Sequence, residues 1–89
     1  MKYLDRTEVR ARMLDAVARG AVELDAGSAT WYVDDAAVSG WDQRTLVELW
    51  REGGHIQPLD PVSGSQTRRG KVALTQHGKA AHRYWSAAS

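Results

Sequence analysis

Arg68, Arg69 and Lys71 stand together behind Ser63, Ser65, Gln66 and Thr67. Cations and hydroxyl or amide donors in one short stretch are suited to neutralising and hydrogen-bonding phosphate. The same stretch also suits a solvated loop that keeps a hairpin soluble. Upstream, Gln43 and Arg44 are the side-chain types that read adenine and guanine edges, and Arg51 lies on the same polar side of its segment. Other chemistry is poorly served. His77 and His82 are five apart, which turns them away from each other on a helix, and there is no cysteine to complete a metal site. Asp34-Asp35 and the scattered glutamates are the raw material of an acid/base pair, yet nothing marks a nucleophile or a phosphate-cradling glycine loop. The expectation is a binding protein with no catalytic residues, no metal and no cofactor.

The charge is uneven along the chain. Residues 1–54 hold seven Lys/Arg against ten Asp/Glu, net −3, and residues 55–89 hold five against one, net +4, within a total of +1. A basic surface on the second part would face phosphate while the acidic part faces away. At 89 residues, 43% hydrophobic and 26% charged, the chain reads as one folded domain over residues 1–89. Four tryptophans and no phenylalanine must fill its core, Trp41 being the exception expected in a loop. Charge from the first residues onward and the lack of a long apolar run predict no signal segment and no membrane span, hence a soluble cytoplasmic protein.

These side chains must be positioned by a small set of elements. A first helix is expected from Arg6, with Asp5 as cap, Glu8 completing a capping box and Leu4 and Val9 as its staple; Val9, Met13, Leu14 and Val17 form its buried stripe and Gly20 its end. Ala21-Val22-Glu23-Leu24-Asp25 fits either a helical extension or a strand. The strand is preferred, because Ala26-Gly27-Ser28 supplies a turn and Thr30-Trp31-Tyr32-Val33 a partner strand. Asp34-Asp35 then opens a loop through Gly40, and a second helix over residues 42–52, capped by Asp42 and stopped by Gly53-Gly54, buries Leu46, Leu49 and Trp50. His55-Ile56-Gln57-Pro58-Leu59 and Lys71-Val72-Ala73-Leu74 read as a hairpin with a long tip, and Thr75 caps a last helix to about Ala87 in which Gly78 marks close packing. The fold class is therefore α+β: helix, hairpin, helix, wing hairpin, helix.

A helix with polar side chains followed by a basic-tipped hairpin offers a duplex two prongs, the helix for the major groove and the tip for the backbone. The run Leu46-x-x-Leu49-x-x-x-Gly53-Gly54-His55-Ile56, then Arg68-Arg69-Gly70-Lys71, then Val72-Ala73-Leu74-Thr75-x-x-Gly78 resembles winged-helix regulators of the multiple-antibiotic-resistance and phenolic-acid-response types. The chain is also similar to small winged-helix-like proteins of actinobacteria and their phages. The resemblance covers roughly residues 43–85 and implies a recognition helix from Gln43 and a wing over residues 62–70. It implies duplex DNA as partner, in a transcription or recombination accessory role. Where those regulators place a helix before the recognition helix, residues 21–40 here read as hairpin and loop. Asp42, Glu48 and Glu52 would repel phosphate unless paired with Arg44 or Arg51. The DNA-contacting set expected is thus Gln43, Arg44, Arg51, Arg68, Arg69 and Lys71. The alternative is a winged-helix protein-interaction module, such as a phage protein that binds a host protein. Tyr84 and Trp85 on the last helix would form the contact of a homodimer.

Overall fold

The computed structural model describes residues 4–59 and 69–87. Three helices, α1 (Glu8–Ala18), α2 (Gly40–Arg51) and α3 (Gln76–Ala87), cover one side of a sheet of five strands, β1 (Val22–Asp25), β2 (Thr30–Val33), β3 (Ala36–Ala37), β4 (Ile56–Pro58) and β5 (Arg69–Leu74). All neighbouring strands are antiparallel, in the order β3-β2-β1-β5-β4. The two expected hairpins are present, but they are not separate: β1 pairs with β5 through Glu23↔Lys71 and Asp25↔Arg69, so the second hairpin extends the first.

The first helix begins later than expected. Thr7, not Asp5, is the cap: its backbone is extended and its hydroxyl accepts the Arg10 N–H at 3.1 Å. Asp5 instead lends its carbonyl to the Arg10 guanidinium at 2.7 Å, so no capping box forms. Gly20 does end the helix region, at φ +75°. The preferred strand reading of residues 22–25 holds, and Asp25 organises the turn by accepting the Gly27 and Ser28 N–H groups.

Residues 34–40 were expected to be loop throughout. In the structure Asp34 (φ +51°) and Asp35 (φ +66°) make a two-residue turn that returns Ala36–Ala37 alongside Val33 and Tyr32 as β3. Aspartate tolerates the left-handed region, which is why the pair suits this turn. The second helix starts earlier than expected, at Gly40 with Ser39 before it, so Asp42 lies in its first turn and is not the cap. There its charge still complements the helix dipole.

Period-two alternation divides the sheet into faces. Val22, Leu24, Trp31, Ile56 and Val72 point to the helices and are buried with Met13, Leu14 and Val17 of α1, Leu46 and Leu49 of α2, and Ala81 and Trp85 of α3. Trp31 meets Trp50 of α2 edge to face, centroids 6.0 Å apart. Glu23, Tyr32 and Lys71 occupy the intervening positions, so they look away from all three helices.

Candidate nucleic-acid interface

The outward side of α2 carries the expected reading residues together. Gln43, Arg44 and Arg51 line one shallow groove with Val47, Glu48 and Glu52. Trp41 is 73% exposed, and the Arg44 guanidinium lies over its ring at 5.1 Å; Arg51 covers Trp50 at 4.2 Å. Each stack holds a long cation in place while leaving its charge available.

The carboxylates of α2 are neutralised from behind, not by their own helix. Arg10 Nε donates to Glu48 at 2.7 Å and Arg12 donates to Asp42 at 2.8 Å, so α1 supplies the partners that Arg44 and Arg51 were expected to provide. The Arg10 hydrogen bond holds the Glu48 carboxyl below its ordinary range. Spacing along α2 could not reveal this, because the pairing depends on α1 and α2 packing side by side.

The hairpin cations are placed differently. Arg68 and residues 62–67 lie outside the described residues. Arg69 opens β5, and its guanidinium crosses the outer face of the sheet to lie 3.6 Å over the Tyr32 ring, 2.5 Å from Asp35 Oδ1 and 4.0 Å from Glu23. Lys71 reaches the Gly20 carbonyl at 3.0 Å, where the end of α1 favours a cation. Arg69 and Lys71 therefore share the sheet face away from the helices, whereas Gln43, Arg44 and Arg51 belong to the helical side.

A second cluster escaped the sequence reading. His77 and His82 do diverge, His82 approaching Asp15 at 3.3 Å, but His77 stacks on His55, 22 positions away, with ring centroids 4.7 Å apart. His55 is fully buried, and Trp85 meets its ring edge-on at 5.6 Å. Burial, with His77 and Arg10 adding repulsion, pushes the His55 pKa down to about 4, so it is neutral at pH 7. Because Trp85 is buried in this core, of the two residues expected at a homodimer contact only Tyr84, 75% exposed, faces outward. Among the described residues no three metal-ligating side chains converge, and no helix is long and apolar enough to cross a membrane. No family model, curated protein or solved structure matches this chain.

Proposed function

We propose that this chain is a winged-helix-like domain that binds duplex DNA through the outer face of α2, with β4 and β5 as the wing strands, acting as a cytoplasmic transcription or recombination accessory factor. The observation that carries the reading is the backward neutralisation of Asp42 and Glu48 by Arg12 and Arg10, which leaves Gln43, Arg44 and Arg51 as the polar outer face of a helix. The chain order α2, β4, β5, α3 is also the order that the resemblance implies for recognition helix, wing and closing helix. Gln43 and Arg44 would meet base edges; Arg51, Arg68, Arg69 and Lys71 would meet phosphates.

Substitution separates the two roles. Arg44→Ala is expected to weaken binding to the preferred site about tenfold or more, equivalent to about 1–3 kcal/mol, and to relax sequence preference there. Arg68 and Arg69 changed together to Ala should weaken all duplexes alike and make the slope of log K against log salt shallower by about 1.8, two phosphates at about 0.9 each. Fluorescence anisotropy over a salt series reads both effects. Parent-like binding by both variants overturns the proposal.

One observation favours a protein partner instead: an apolar groove along α3, lined by Leu4, Ala81, Tyr84 and Trp85. A complex made there would respond weakly to salt, in contrast to the steep log-linear fall of a phosphate contact.

A further inference from the structure

We infer that Arg69, seated on Tyr32, is a binding seat for a nucleic-acid phosphate and that Asp35 occupies this seat in the free protein as an internal competitor. The inference rests on the DNA reading above and adds how one of its phosphate contacts is controlled.

Arg69 follows directly on the loop of residues 60–68, at the base of the hairpin. Its guanidinium is nonetheless drawn across β1 to the far side of the sheet, stacked on Tyr32 and bonded to Asp35. A guanidinium flat on an aromatic ring has lost much of its freedom already, so an anion that meets it there has little ordering left to impose. The anion present is a carboxylate on a turn: Asp35 is exposed, with 84% of its side chain open to solvent, and contributes nothing to the core. Exposed ion pairs of this kind contribute little to stability, whereas a phosphate offers Arg69 two charge-assisted hydrogen bonds in the same plane. Phosphate binding at Arg69 therefore requires that Asp35 let go. Glu23, 4.0 Å from the guanidinium, adds to the repulsion that an incoming phosphate meets while the seat is closed.

The neighbouring turn residue supplies the control. Asp34 carries the same charge and the same left-handed backbone, but its carboxylate faces Arg19 at 3.5 Å. Asparagine is at home in that backbone region, so Asp35→Asn and Asp34→Asn should both fold, as far-UV circular dichroism would verify. The experiment is a salt series of fluorescence anisotropy titrations with a short mixed-sequence duplex, on the parent, Asp35→Asn, Asp34→Asn, Arg69→Ala, Arg69→Ala with Asp35→Asn, and Arg44→Ala.

Asp35→Asn is expected to bind about three- to tenfold more tightly at low salt and to steepen the slope of log K against log salt by about 0.9, one further phosphate contact. Asp34→Asn should stay within twofold of the parent, and the Arg69→Ala background should erase the gain. Equal gains from Asp34→Asn and Asp35→Asn, or a gain that survives Arg69→Ala, overturn the seat and leave only a general charge effect. Loss of binding in Arg44→Ala with no effect of Asp35→Asn keeps the α2 reading and sinks this one. A gain in Asp35→Asn with Arg44→Ala unchanged does the reverse. Absence of duplex binding in every variant overturns both.

Discussion

Gly78→Ala is expected to cost more than about 4 kcal/mol, a range reached by few single substitutions. Gly78 is the third residue of α3, and a Cβ built on it would lie 1.8 Å from the His55 carbonyl oxygen and 2.8 Å from its carbon. Both are backbone atoms, so no rotamer change relieves the overlap. The carbonyl is also committed: it accepts the Thr75 N–H at 3.0 Å, while the Thr75 hydroxyl donates to the Gly54 carbonyl at 2.5 Å and accepts the Gly78 N–H at 3.0 Å. Making room means lifting the start of α3 off β4, which breaks these bonds and pulls Ala81 and Trp85 out of the core. Against a total stability of about 5–15 kcal/mol for a small domain, most of the fold is at stake, and the melting temperature should fall by about 20 °C or more. Alanine in place of glycine inside a helix would otherwise stabilise by about 1 kcal/mol, so the sign is diagnostic. Gly20→Ala is the comparison: its space is open, and only the left-handed backbone at φ +75° opposes it, for about 1–2 kcal/mol. Urea unfolding of both variants checks the pair, and a loss below 1 kcal/mol in Gly78→Ala would sink the account.

The second large effect is on pH. His55 is neutral and buried, with a folded-state pKa of about 4 against an ordinary value of 6.5. Between those values the unfolded chain binds a proton that the folded chain refuses. Stability is therefore full above about pH 6.5 and falls as the solution is acidified through the folded pKa. The expected loss is about 2 kcal/mol by pH 5 and about 3 kcal/mol when complete. Glu48, whose pKa is lowered by its bond to Arg10, also stabilises only above its unfolded value, but that carboxylate loss sets in mainly below pH 5 and is separable. Urea unfolding at pH 7.5 and pH 5 measures the His55 part. His55→Phe, which keeps a ring against His77 and Trp85 without the proton site, should flatten the difference; equal stability of the parent at the two pH values would refute the prediction.

The local elements were legible wherever short-range physics decides them. The stripe Met13, Leu14 and Val17, the Gly20 stop, the Asp25 turn, the Thr75 cap and the close packing at Gly78 all follow from periodicity and from side chains acting on their own backbone. β3 was missed because two alanines carry no strand signal; Asp34-Asp35, a pair that tolerates positive φ beside Val33, was the available hint. The α1 cap was misread because Asp5 and Thr7 both qualify and only the chain direction into the helix separates them.

The candidate site divides along the same line. That α2 presents Gln43, Arg44 and Arg51 on one side was readable from helical spacing, since residues on one helix carry their geometry with them. What neutralises Glu48 and Asp42, which way Arg69 turns, and that His55 lies against His77 were not, because each joins residues 22 to 38 positions apart. The sequence by itself determined the helices, the hairpins and the excess of cations after His55, because propensity, turn chemistry and composition act within a few residues. Only the tertiary structure decided which cations face outward and which are folded onto carboxylates, because an ion pair depends on distance in space, and the packing of α1 on α2 and the pairing of β1 with β5 set that distance.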